Sequence, residues 1–296
     1  MPWRKGNRLR LVSESEARGR TLEVYDNIRD TLGLPIVPTA FQAFAAAPAF
    51  LELAWSTLYP LARTQQFFIL ADRLRADAYT RCYSYCSVPD LRSRLEEMQF
   101  SRGAREEIAT SVDMLNHGGA IVLLLLAVLL QSFEGPVGSD CECERPAVRP
   151  VYTVKPPLLD EEHAPPDIQK IFEDVRRTLK IPQLTADVRA LARWPEFFAE
   201  YWHGLKAAVQ SPLYEVCFRG AHETAFSLTR EIPVPIELTT ERLAQAGLSE
   251  EQIASVLRIT DSFVNATVGT VLNVAFAKIA IEGGNKGKSQ AVDQVA

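Results

Sequence analysis

An acid present in only one of two matching stretches is the first candidate for chemistry in this 296-residue chain. The stretch Thr178 to Trp202 aligns without a gap with Thr31 to Trp55, 147 residues earlier. Thr31 meets Thr178, Pro35 meets Pro182, Pro48 meets Pro195, Phe50 meets Phe197 and Trp55 meets Trp202. At one position the copies differ in chemical kind: Ala40 in the first, Asp187 in the second. Asp187 stands at the start of a predicted helix, with Thr185 placed to cap it. A helix dipole by itself favours an acid there. The alanine in the other copy shows, however, that the fold does not require one. Free amides at a helix start also form an anion site. An acid beside such a site suits a general base whose pKa is raised by burial or by the anion's charge.

Asn116 is the second candidate, because it precedes Gly118-Gly119 at the mouth of an apolar run. An amide buried there must be hydrogen-bonded or it costs a few kcal/mol. It can bridge helices, or it can hold a water for a base. In the second half Asn265 can be set against it at an offset of 149, once a small gap is allowed. Other chemistry is poorly supported. His117, His163, His203 and His222 make no H-x-x-x-H or H-E-x-x-H pattern, so no metal is expected. Cys82 and Cys86 lie four apart rather than as C-x-x-C, and Cys141-x-Cys143 has no histidine at metal spacing. All five cysteines read as inert reduced thiols.

The elements that must carry these residues are all helical in pattern. Ser13 to Glu16 fits an S-x-x-E capping box, predicting a helix through about Thr31 with Leu22, Tyr25, Ile28 and Leu32 on one face. Pro35 and Pro38 break it. A second helix starts near Thr39, with Phe41, Phe44, Ala45, Phe50 and Leu51 as core and Pro48 dividing it. Helices at about 52–62, 64–87, 88–98 and 102–133 follow. Leu91, Leu95 and Met98 form one apolar stripe; Ile108, Val112 and Leu115 form another. Residues 134–158 are rich in proline and read as an extended crossover. Helices at about 165–179, 185–192, 195–209 and 211–229 repeat the order, and the Ser249–Gln252 capping box opens the last, to about 282. Nothing alternates with period two for long enough to make a strand. The expected fold is therefore all-α: two tandem repeats, 1–133 and 159–296, joined by the 134–158 linker and packed as an internal pseudo-dimer with a pocket between them.

Composition narrows the classes. A net charge of −5 and the absence of a basic stripe argue against a nucleic-acid partner. The run Gly118 to Leu130 is too short to span a bilayer, which needs roughly 20 residues. It reads as a helix buried on all sides, and no membrane is expected. The basic leader lacks an apolar core, and with the reduced thiols this points to the cytoplasm.

Taken together, the residues resemble the group I 2-haloacid dehalogenases, the DehI family. The resemblance covers nearly the whole chain. It rests on the V-Y-D-N-I-R-D-T-L-G-L-P-I-V segment at 24–37, L-N-H-G-G with its leucine run at 115–130, and A-D-V-R-A-L-A-R-W-P at 186–195. It implies an all-helical pseudo-dimer with one active site, commonly a homodimer, and no cofactor. It implies Asp187 as the base that activates a water to attack the halogen-bearing carbon with inversion, and Asn116 as its companion. The substrate is then a small anionic 2-haloacid such as 2-chloropropionate. Its carboxylate would meet the helix starts at Thr39 and Ala186, with Ile36 among the apolar walls. Ile36 and Thr39 stand where some relatives carry larger aromatics, so the walls differ. Thr185 sits where side-chain size decides whether the L-enantiomer fits; its intermediate bulk suggests both enantiomers. Two other readings compete. The segment L-G-L-P-I-V-P-T-A-F-Q-A-F is similar to one in AhpD-like and carboxymuconolactone-decarboxylase-like helical proteins. A non-catalytic helical repeat protein that binds a partner is the other.

Overall fold

The computed structural model describes residues 10–139, 147–181 and 183–285. Cys141, Cys143, Pro182, most of the leader and the polar tail beyond Asn285 lie outside the described residues. Among those described there are twelve α-helices and one 3-10 turn. In place of strands there is one isolated antiparallel bridge, between Val137 and Ile236.

The first six helices are α1 (Gly19–Leu32), α2 (Thr39–Phe44), α3 (Pro48–Ala62), α4 (Gln65–Tyr85), α5 (Leu91–Glu97) and α6 (Arg102–Ser132). The next six are α7 (Pro166–Leu179), α8 (Ala186–Leu191), α9 (Pro195–Val209), α10 (Pro212–Leu228), α11 (Thr240–Gln245) and α12 (Glu250–Ile281). Helices α7 to α10 each begin 147 residues after their counterparts, and α12 begins 148 after α6. Individual contacts recur with the same spacing. The Val12 amide donates to the Gln42 carbonyl, and the Leu159 amide to that of Arg189. The Trp55 indole donates to Asn27 at 2.7 Å, and the Trp202 indole to Asp174 at 2.9 Å. Arg29 pairs with Glu14, and Arg176 with Glu161.

Helices α6 and α12 form the central pair, with α4 and α10 packed against both. This consumes the apolar run: Leu123 to Leu129 are completely buried. By length and composition α6 and α12 could each cross a membrane, but 83% of the most apolar window of α6 lies inside the protein. Burying such side chains contributes about 1.5–3 kcal/mol each, so neither half could expose this surface alone. Packing across the halves is crossed at the short helices: α8 rests on α6, and α2 on α12.

Several local expectations need correction. The Ser13 box closes only a turn: the Ser13 amide and hydroxyl both donate to Glu16, but Ala17 is buried and Arg18 is extended, so α1 starts at Gly19. Leu22 is exposed, and Val24 takes its place in the core. Pro48 opens α3 as its first residue instead of dividing a helix, since a proline there loses no intrahelical bond. Helix α11, capped by Thr239, was not anticipated. The Ser249 box does form with both its bonds.

The described parts of the crossover, residues 134–139 and 147–158, form a strap that touches both halves. Val137 and Ser139 pair with Ile236 and Ile232 near the end of α10, and further on Tyr152 donates to the Gly33 carbonyl. Gly33 ends α1 at φ +67, and its counterpart Lys180 ends α7 in the same left-handed conformation at φ +55. A side chain is thus tolerated at one copy. At Gly33 it is not, because a Cβ would stand 2.6 Å from the Pro150 carbonyl oxygen in the strap. Gly33→Ala is expected to cost about 1–3 kcal/mol by overpacking, whereas Lys180→Gly should relieve about 1 kcal/mol of left-handed strain. Urea unfolding of the two variants checks this; an unchanged midpoint for Gly33→Ala would show that the strap yields freely.

Candidate active site

A cavity of about 210 Å3 lies between the halves. Of its 22 lining residues, 20 fall into ten pairs related by the repeat. Leu34 and Ile181, Ile36 and Gln183, Pro38 and Thr185, Thr39 and Ala186, and Ala40 and Asp187 stand 147 apart. Met114 and Ser262, Leu115 and Phe263, Gly118 and Ala266, Gly119 and Thr267, and Val122 and Thr270 stand 148 apart. The cavity therefore straddles the pseudo-two-fold axis, and differences within a pair mark its two ends. Most walls are apolar or hydroxylic. No lysine, arginine or histidine is among the lining residues, and Asp187 is the one acid.

Asp187 is the second residue of α8 and is 2% exposed. Neither carboxylate oxygen has a hydrogen-bond partner among the described residues. A capping acid would accept from first-turn amides; this one makes no such bond, although the amides of Asp187 and Val188 still favour its charged form. Thr185 occupies the N-cap position, but its hydroxyl makes no capping bond. Burial pushes the Asp187 pKa up; the Thr185 hydroxyl and the amides of Asp187 and Val188 oppose this without reaching hydrogen-bond geometry. An unpaired buried carboxylate costs free energy whether it is charged or neutral. Its counterpart Ala40 is equally buried and carries no such cost.

Asn116 is 4% exposed on α6, and its Oδ1 has no hydrogen-bond partner among the described residues. It does not line the cavity; its neighbours Leu115, Gly118 and Gly119 do. The match with Asn265 is corrected: Asn265 is exposed and bonded to Asp261, and the spacing of 148 that pairs the cavity walls sets Asn116 opposite the buried Val264. The gap that aligned the two asparagines was one residue too long. Asp187 and Asn116 stand on two helices that pack on each other, α8 and α6, as Ala40 and Val264 do on α2 and α12. The acid and the amide thus occur in one copy only, while hydroxyls of Thr39, Ser262, Thr267 and Thr270 line the α2 and α12 walls.

Ile36, Thr39, Thr185 and Ala186 all line the cavity. The α12 wall was not anticipated, although adding 148 to the α6 residues identifies it. His117, beside Asn116, is buried against Phe68 and Tyr152 with its pKa lowered by burial. Cys82, Cys86 and Cys217 are buried free thiols. The bond to Cys217 lowers the Cys86 pKa, but Cys82 and burial outweigh it and push it up to about 12; Cys217 is pushed up by its bond to Cys86 and by burial. This is the opposite of a peroxidatic thiolate. Among the described residues no group of three or more His, Cys, Asp or Glu could hold a metal.

A family model described as halocarboxylic acid dehydrogenase DehI matches residues 35–188, just over half of the chain, from the loop before α2 to just past Asp187. The (R)-2-haloacid dehalogenase of Pseudomonas putida is 26% identical over 278 residues, covering 91% of this chain and 92% of that protein. A configuration-inverting 2-haloacid dehalogenase of Alcaligenes xylosoxydans xylosoxydans is 26% identical, covering 83% and 81%. A crystal structure of a D-2-haloacid dehalogenase mutant superposes with a TM-score of 0.88 at 24% identity, covering 93% of this chain and 97% of that one. At that identity the likeness speaks for the fold.

Proposed function

The chain belongs to the DehI family, and from that premise we propose that it is a hydrolytic, configuration-inverting 2-haloacid dehalogenase that uses Asp187 as base. The observation that carries the reading is the buried, unpartnered Asp187 carboxylate in a cavity whose matching position is Ala40. A relative named as configuration-inverting supports the stereochemistry.

The chemistry follows from the arrangement. A water held between the Asp187 carboxylate and the Asn116 amide oxygen satisfies acceptors that otherwise have no partner. As the water oxygen bonds to Cα, the carbon–halogen bond breaks and its electron pair leaves with the halide. The water's proton passes to Asp187 and then to solvent. With no cationic side chain at the cavity wall, the substrate carboxylate relies on the hydroxyls and on the first-turn amides at Thr39 and Ala186, which precede any intrahelical acceptor. Ile36 forms part of the apolar wall. Bringing a second negative charge into the cavity raises the Asp187 pKa further and strengthens the base. Relatives named for the (R) substrate support the D-enantiomer, and intermediate bulk at Thr185 extends the reading to the L form. The same reading has the protein working without a cofactor, in the cytoplasm, as a homodimer.

Halide release from 2-chloropropionate tests the reading. With enzyme in excess for one turnover in H218O, direct attack places the label in the 2-hydroxy acid. An unlabelled first product would mean an ester on aspartate and would overturn the water mechanism. No halide from any short 2-haloacid would overturn the function.

A further inference from the structure

We propose that the strap is a pH-sensitive latch on the first half, held down while His117 is neutral and released when His117 takes a proton. The strap itself makes the site. The repeat spacing of 148 sets His117 of α6 opposite Asn265 of α12, which is exposed, whereas His117 is only 5% exposed. The covering residue is Tyr152 of the strap, whose ring centroid lies 5.7 Å from that of His117. On its other side His117 stacks on Phe68 of α4 at 6.4 Å. Phe68 in turn carries the Arg149 guanidinium of the strap 5.8 Å from its ring centroid. Arg149 is anchored by donating to the Thr31 and Asp30 carbonyls at the end of α1. Strap and helices thus interleave in one stack.

A neutral imidazole fits this place and an imidazolium does not. His117 Nε2 is buried with no hydrogen-bond partner among the described residues, so a charged ring would leave a donor without an acceptor. Charges reach it from several elements. On α4, Asp72 favours the charged ring and Arg75 opposes it, and the two pair with each other at 2.9 Å. Arg149 of the strap opposes it too. Asp113 of α6, which acts on Tyr152, is paired with Lys278 of α12 at 2.7 Å, and Asp30 of α1 acts on Arg149. Burial above all, with the two guanidiniums, therefore holds the His117 pKa below its usual value. Lifting the strap returns the ring to water, where it titrates at about 6.5. The docked strap then binds fewer protons than the lifted one. Docking is at full strength above about 6.5 and weakens as pH falls from there through the lowered value. The latch bears on the active cavity through Gly33. Tyr152 donates to the Gly33 carbonyl, and the next residue, Leu34, lines both the cavity and a groove of about 340 Å3 between α1 and the strap. On the dehalogenase reading each turnover releases a proton, so acid made by the reaction loosens this wall. The latch itself does not rest on that reading.

Amide hydrogen exchange in the whole protein, without substrate, tests the latch. The reporters are the amides of Ala147, Val148 and Tyr152, which bond to the Arg63 carbonyl, the Gln65 side chain and the Gly33 carbonyl. A lifted strap with an ordinary histidine gains at most about tenfold in population between roughly pH 7.5 and 5.5. Protection of the three amides, after division by their intrinsic rates, is expected to fall about three- to tenfold over that range. Protection within α6 should stay constant. His117→Phe and His117→Gln cannot take the charge, and each should keep the strap equally protected at both pH values; the second guards against the first packing badly. Equal protection at both pH values in the wild type would overturn the proposal, as would a fall that persists in either folded variant. Halide release plays no part in the readout, so failure here leaves the dehalogenase reading standing.

Discussion

Replacing Asp187 with alanine is expected to abolish halide release while making the protein more stable. A positioned general base contributes about 10²–10⁴-fold, so kcat should fall by at least about a thousandfold once water positioning is lost too. Stability should move the other way. The carboxylate is buried with no protein hydrogen-bond partner among the described residues, and one water only partly offsets a desolvation cost of about 1–3 kcal/mol. The fold already demonstrates the replacement, because Ala40 occupies the matching position in the other half. Both effects depend on pH. Burial raises the folded-state pKa of Asp187, so the folded protein holds this proton more tightly than the unfolded chain. Stability from this residue is therefore present below the ordinary value of about 3.9 and is lost as pH rises through the raised pKa. Across the same window the base becomes ionised and activity appears. The melting-temperature advantage of Asp187→Ala should thus grow over the pH range in which wild-type kcat/KM climbs, with that limb above the usual carboxylate range. Asp187→Asn, folded by circular dichroism yet fully active, would remove Asp187 from the chemistry.

Asn116→Val should lower kcat by about 10–100-fold with little change in KM. Valine is the residue that the repeat places at the matching site, Val264, where it is fully buried without difficulty. The substitution removes an amide oxygen that has no partner, so it should not destabilise the fold. A purely structural asparagine would behave differently: losing it would lower the melting temperature and leave kcat alone. Because Asn116 does not line the cavity, its effect must come through a water it shares with Asp187. The double variant with Asp187→Ala should then be no slower than Asp187→Ala alone, since both residues would serve one water.

The repeat, the helices and the odd acid were legible in the sequence for a plain reason. Pro35 and Pro48 recur 147 residues later with the aromatic residues around them, so the same backbone must form twice. What failed were features set by contacts between distant segments. Ser13 to Glu16 has the sequence of a helix cap, yet the burial of Ala17 pulls the chain away before a helix can propagate. Leu22 has the spacing of a core residue, but it stays 38% exposed at the surface. Asn265 looked like a partner for Asn116 because residue type outweighed register. The register is fixed by ten cavity residues spaced at 148, and it points Asn265 to solvent. That the helices of Asp187 and Asn116 pack on each other was not readable from either half alone, because α8 and α6 belong to different halves.

The covalent strap between the halves has a consequence beyond holding them together. Were the halves separate identical chains, their interface would be isologous and every residue would appear twice about the axis. An acid at the Asp187 position would then face its own copy across a shared cavity. Two carboxylates in one low-dielectric space suppress each other's ionisation, and together they would repel an anionic acid from both sides. Joining the halves in one polypeptide frees each end to differ. It allows the cavity a single base, and so gives the molecule a direction in which a substrate must lie.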